Sequence, residues 1–302
     1  MSTILAPGSR GGAEAMQTAA IKGRSLWDDA RRRLKRNKAA VASMVVLALL
    51  VLLAVVGPYL TPYRFDAINK NDVWAEPLQA GHLLGADALG RDLLARLLMG
   101  LRVSLAVGVV ATFVSLVIGV LWGSVAGYVG GKVDEVMMRI VDILYSLPFI
   151  FFVILLMVTF GRNFILMFVA IGAVEWLTMA RIVRGQTLSL KQKEFVEAAR
   201  AAGVPASGII ARHIVPNLLG PVVIYVTLTI PAVILAESFL SFLGLGVQEP
   251  LTSLGVLISN GAAEMELAPW LLVFPSIVMV VTLVCFNFIG DGLRDAIDPK
   301  DR

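Results

Sequence analysis

Few side chains in this 302-residue sequence could carry chemistry. His82 and His213 are the only histidines, and Cys285 is the only cysteine. Two separated imidazoles cannot build a metal centre alone, and a single thiol excludes an intrachain disulfide and any Cys-rich zinc or iron–sulfur site. No Walker A loop is present. Its nearest approach, Gly131-Lys132, has Ala126 where a glycine is needed and Val133 where Ser or Thr would reach magnesium. Gly-x-Ser-x-Gly and His-Glu-x-x-His are also absent, and no aspartate pair lies in an apolar stretch. Neither ATP hydrolysis nor intramembrane hydrolysis is expected of this chain. The informative cluster is instead Glu197-Ala198-Ala199 with Gly203 beyond it. Lys191–Ala202 is rich in helix formers, Gly203 can stop a helix in the left-handed conformation, and Pro205 suits the first turn of a second short helix reaching about His213. Pro216 then opens the next apolar run. The expected unit is a helix–turn–helix whose small Ala198 and Ala199, beside Glu197, allow close approach. By pattern alone, a solvated loop helix fits the segment equally well.

The elements that must hold this unit are membrane spans. The chain is 58% hydrophobic and 16% charged, with a mean hydropathy of +0.82. Soluble domains run about 45–50% apolar and about 25% charged, so a soluble enzyme, a disordered chain and a nucleic-acid module are excluded. A span needs roughly 20 apolar residues to cross about 30 Å of hydrocarbon. Windows free of Lys, Arg, Asp and Glu are Ala39–Leu60, Val103–Gly131, Ile143–Gly161, Ile214–Ala236 and Leu267–Gly290. Asn163–Ala180 qualifies with one carboxylate, Glu175. As one helix, residues 143–180 would extend about 57 Å, so the segment must fold back, and Gly161-Arg162-Asn163 supplies the turn. Gly127, Gly130 and Gly131 end the second span. Six spans are expected, making an all-α membrane protein with residues 1–38 outside the transmembrane domain 39–302.

Basic residues are retained on the cytoplasmic side. Segments 1–38, 132–142, 181–213 and 291–302 hold 20 of the 26 Lys and Arg, which makes them inner segments and both termini cytoplasmic. Segments 61–102 and 237–266 are the outer loops, and the second carries Glu237, Glu249, Glu264 and Glu266 with no base. Ser25-Leu-Trp-Asp28 reads as a capping box before the basic run Arg31–Lys38. A short helix on the anionic inner leaflet and a pure topology signal fit that run equally well. In the first outer loop, Asp87 is expected to cap an amphipathic helix whose leucines at 89, 93, 94, 97 and 98 form one face, with Asp92 paired to Arg96. A metal role for His82 is disfavoured. Glu175 is the sole ionisable group within a span, about six residues from the inner face. It could line a conduit, but solvation there or pairing with Arg181 is the favoured reading.

Glu197-Ala198-Ala199, then Gly203, with Pro216 thirteen residues beyond it, resembles the cytoplasmic "EAA" signature of permease subunits of bacterial ATP-binding-cassette importers. Where that signature has an aliphatic residue this chain has His213, and His-Ile-Val-Pro-Asn (213–217) is similar to the peptide-transporter branch. His82–Asp92, Glu237–Pro250 and Gly290–Arg302 resemble its C-type subunits, although the family more often has Thr where Ala86 stands. Gly23–Met44 is most similar to the oligopeptide rather than the dipeptide type, and the resemblance covers about residues 23–302. The resemblance implies a type I importer permease fold with a coupling helix seated in a cleft of an ATPase subunit. Its site residues would be Glu197, Ala198, Ala199, Gly203, His213 and Pro216. It further implies a B-type permease partner, two ATPase subunits that carry ATP and magnesium, and an extracytoplasmic peptide-binding protein. Cargo would be peptide, the place a bacterial inner membrane among lipid, and the chain itself no enzyme and without cofactor or metal. The alternative is a self-contained secondary transporter or channel, against which the single embedded carboxylate and the large inner helix–turn–helix speak.

Overall fold

The computed structural model describes residues 26–160 and 164–297. Ser25 of the expected capping box and the turn at 161–163 lie outside the described residues. Helix α1 (Leu26–Arg36) carries most of the basic run and ends at Asn37, whose Oδ1 accepts the Ala40 N–H at 3.2 Å and so caps α2 (Lys38–Leu60). Small residues Ala40, Ser43, Ala54 and Gly57 are the buried positions of α2, while Leu49, Leu52 and Val56 stand exposed, as a lipid-facing side requires.

After residues 61–92, α3 (Leu93–Val129) runs 37 residues without a break. The separate surface helix expected in the first outer loop does not form; its leucines from 93 onward are the first turns of the span. No proline interrupts residues 93–129, so nothing stops the helix once started. Asp92, not Asp87, is the cap, its Oδ2 accepting the Ala95 N–H at 2.7 Å. Gly130 and Gly131, both at positive φ, end α3 and start α4 (Gly131–Ser146), as their spacing suggested. The expected third span is broken. Pro148 forces Leu147 into extended backbone, and α5 (Phe149–Phe160) leaves α4 at 87°.

Helix α6 (Phe164–Leu190) lies along α3. Gly119, Gly123 and Gly127, one turn apart, face Met179, Ala180, Val183 and Thr187, and a Cβ on Gly123 would lie 2.4 Å from the Ala180 carbonyl oxygen. Such small-residue stripes let helix backbones meet where lipid gives no hydrophobic drive. Arg184 bonds Asp134 and Arg181 bonds Asp142 at 2.8 Å, fastening α4 to α6. Arg181 also lies over the Tyr145 ring, so it is not the partner expected for Glu175.

Helix α7 (Glu194–Ala201) precedes α8 (Ala206–Phe242), α9 (Leu254–Ala263) and α10 (Trp270–Ile297). Among the described residues, α2, α3, α8 and α10 are long and apolar enough to cross a membrane, and the bent pair α4–α5 makes a fifth if counted as one span. Contacts between residues distant in sequence sort the loops into two ends. Gly292 lies against Ala40, and Lys191 lies over Tyr128, which puts α1, the α3–α4 turn and α7 at one end. Arg91 bonds Glu249, and Trp74 bonds Glu264, which puts residues 61–92 and the surroundings of α9 at the other.

Candidate functional site

Helix α7 is short, and its position is fixed by one face. Val196 and Ala199, three residues apart, are buried in a cluster with Tyr128, Met179, Val183, Ile209, Ile214 and Leu218. That cluster joins the ends of α3, α6 and α8. Opposite it, Glu197 and Ala198 are exposed and Phe195 is 39% exposed. Glu194 and Glu197 occupy the first turn and Arg200 the last, each sign matching the helix dipole. The outward face therefore presents a carboxylate, an aromatic ring and a small residue on a helix that α3, α6 and α8 hold from behind.

The end of α7 has the geometry its sequence indicates. Gly203 adopts φ +77°, its N–H bonds the Arg200 carbonyl at 3.0 Å, and the Val204 N–H reaches back to Ala199 at 3.1 Å. This paired closure is the Schellman motif, with Val204 packed on the same apolar cluster. Nothing lies within 4 Å of where a Gly203 Cβ would stand.

Beyond the turn the expected second short helix is absent as a separate element. From Ala206 the chain enters α8 and continues into the span. Residues Ile210–Ile214 form a π turn, closed by the Val215 N–H on the Ile210 carbonyl. Pro216 is the cause: it has no N–H and its ring crowds the carbonyl four residues back, so the helix widens ahead of it. The N–H that would normally cover the His213 carbonyl is supplemented by the Asn217 side-chain amide at 2.6 Å. Of the six candidate residues, Glu197, Ala198, Ala199 and Gly203 thus belong to α7 and its turn. Ala199 faces inward, and His213 and Pro216 lie on α8.

The opposite end holds a second polar network, whose pairings differ from those expected. His82 is buried, with Nδ1 2.8 Å from Asp92 and Nε2 3.3 Å from Asp72, and its ring stacks on Tyr63. Asp87 accepts the backbone N–H groups of Leu89 and Arg91 and the Arg91 Nε at 2.7 Å. Arg91 continues to Glu249 at 2.8 Å, tying the loop before α3 to the loop after α8. Burial alone would push the Arg91 guanidinium down, but its bonds to Glu249 and Asp87 hold it above its ordinary value. Asp92 bonds His82 rather than Arg96, and Arg96 instead lies 3.5 Å from Asp87. Glu237, expected in the outer loop, is fully buried within α8. The legible signal at this end was the Asp87-x-x-x-Arg91 spacing; Glu237 left none, because Ser104 and Ser253, two of its three serine partners, lie far from it in sequence.

The sequence profile of the binding-protein-dependent transport system inner membrane component matches residues 119–302. The chain belongs to this family. A second profile, the N-terminal transmembrane domain of oligopeptide transport permease C, matches residues 25–79. The chain is 60% identical over 283 residues to the oligopeptide transport system permease protein OppC of Escherichia coli K12, covering 93% of this chain and 94% of that one. Its identity to OppC of Haemophilus influenzae is 56% over 291 residues, covering 96% and 94%. The dipeptide transport system permease protein DppC of Bacillus subtilis is 44% identical, covering 92% and 87%. Among solved structures, an inward-facing MetNI methionine transporter matches with TM-score 0.55 and 22% identity over 68% of this chain and 96% of that one. That likeness establishes the fold. The permease is therefore a multi-pass inner-membrane subunit of an ATP-binding-cassette importer, whose family works with a permease partner, ATPases and a binding protein.

Proposed function

We propose that the chain is the C-type half of an oligopeptide importer. It pairs with a B-type permease, so that twelve spans surround the path. Two ATPase subunits lie beneath α7 and hold all the ATP and magnesium, and an extracytoplasmic peptide-binding protein docks at the end carrying α9. Both termini and α7 are cytoplasmic. The permease carries no covalent chemistry, cofactor or metal of its own. ATP binding closes the ATPases, α7 shifts, and the path opens outward to the docked binding protein.

The observation that carries this reading is the two-sided character of α7. Its inward face is locked to α3, α6 and α8 through Val196 and Ala199, and its outward face presents Phe195, Glu197 and Ala198. A rigid helix tied at both ends is what movement of an external subunit needs in order to reach the membrane. The 56–60% identity to OppC proteins, whose names specify oligopeptide transport, supports the cargo class.

Uptake of labelled oligopeptide into vesicles holding the whole complex tests it. Uptake should require ATP and the binding protein and should persist when ion gradients are collapsed. Uptake driven by an ion gradient without ATP would establish a self-contained transporter instead.

A further inference from the structure

Glu237 sits five residues before the end of α8 and is 0% exposed. Its carboxylate accepts three hydroxyl protons: Ser241 and Ser253 donate to Oε1 at 2.7 Å each, and Ser104 donates to Oε2 at 3.4 Å. Two of these serines accept in turn from the first turn of α9. The Leu254 N–H bonds Ser104 Oγ at 3.0 Å and the Val256 N–H bonds Ser253 Oγ at 3.1 Å. A helix start leaves its first N–H groups without partners inside the helix, and negative charge there is stabilising. Donation thus runs one way, from the α9 backbone through two hydroxyls to a single acceptor on α8, with Ser104 supplied by α3. Gly255 brings the helices together, since a Cβ there would lie 2.4 Å from Ser238 Cα.

We propose that Glu237 is a positioning residue for transport: it fastens α9 to α8 and α3, so that α9 moves with the helix that begins at the α7 turn. Helix α8 runs from Ala206 through the π turn to Phe242, about 55 Å at roughly 1.5 Å per residue. Its first residue follows Gly203 by three, and its far end carries Glu237. Helix α9 has only ten residues, too few to span a bilayer, and loops tether both its ends. A displacement at α7 reaches the far mouth through α8, and the Glu237 network decides whether α9 follows. Nothing but the carboxylate serves all three hydroxyls. A glutamine at 237 offers one acceptor oxygen and an NH2 group that only donates, so at least one serine proton loses its acceptor.

This inference rests on the importer reading. Its test uses the whole complex in proteoliposomes, comparing wild type with Glu237→Gln, Ser253→Ala and the double variant. Two readouts are taken: labelled-peptide uptake, and the ratio of ATPase rates with and without binding protein. Each single substitution should lower both about tenfold, the size expected when a buried donor or acceptor is left unmatched. The double variant should be no worse than Glu237→Gln, because both residues act through one chain of bonds. Wild-type uptake and stimulation by Glu237→Gln would overturn the proposal. So would additive losses in the double variant, or failure of both single variants to assemble, which would make the network a folding device only. An unmodified complex without ATP-dependent uptake would sink the importer reading itself.

Discussion

Gly203 ends α7 at φ +77° with open space around it, so a substitution there is penalised by the backbone and not by neighbours. An L-residue in this conformation costs about 1–3 kcal/mol, most for a β-branched side chain. That is too little to unfold lipid-packed spans whose hydrogen bonds are internal. It is enough to undo the Schellman closure and tilt α7 off its seat on Tyr128 and Ile214. Gly203→Val should insert and pair with its partner permease, yet lose peptide uptake and retain ATPase subunits weakly; Gly203→Ala should be milder. Copurification of all subunits, measured beside uptake, checks this, and wild-type uptake by Gly203→Val would show that the turn is not the joint. This residue was legible in sequence because a helix-forming run, a glycine and a proline follow in order, and each is a local signal. His82 and Glu237 were not. Their partners lie at residues 72 and 92, and at 104 and 253, and pairing across such separations leaves no periodic trace.

At the scale of elements, a close joint is the glycine stripe of α3 against α6. A Cβ on Gly123 would meet the Ala180 carbonyl oxygen at 2.4 Å and Val183 Cβ at 2.8 Å. Both belong to the opposing helix, and the Ala180 oxygen, a backbone atom, cannot rotate away. Gly123→Val should therefore separate the two helices at a cost of about 1–3 kcal/mol or more, the usual range for overpacking. Gly185 on α6 is the contrast, with nothing within 4 Å of its missing Cβ and an ordinary helical φ. Gly185→Ala should be neutral or gain up to about 1 kcal/mol. Thermal unfolding of the detergent-purified complex measures both, and equal melting temperatures for the two variants would contradict the packing argument. Apolar windows located α2, α8 and α10 well, because a charge-free run of that length has few other uses. They misjudged α3 and the α4–α5 break for one reason. A window counts charges, whereas a helix continues until backbone chemistry stops it. Arg96 and Arg102 do not stop α3, and Pro148, though uncharged, does stop α4.

For the whole molecule, the question is which end faces which compartment. Contacts place α1, the α3–α4 turn, α7 and the last residues of α10 at one end, and basic residues Arg31, Arg32, Arg36, Lys191, Lys193, Arg200 and Arg294 gather there. The other end carries Glu249, Glu264 and Glu266, with Arg91 held in bonds to Asp87 and Glu249. Lys and Arg resist translocation, so the first end should be cytoplasmic. Asn71, in the segment before α3, and Ala263, the last residue of α9, both stand exposed at the second end. The one native cysteine, Cys285, is buried, so single cysteines introduced at 71 or 263 can be read on a Cys285→Ser background. An impermeant thiol reagent added to intact cells should label both, while a reporter fused after Arg302 should report the cytoplasm. Labelling of either site only after the membrane is breached would overturn this orientation or the expected six spans. It would also move α7 away from the compartment where ATP is hydrolysed, and so remove the ground for treating its outward face as a docking surface for ATPase subunits.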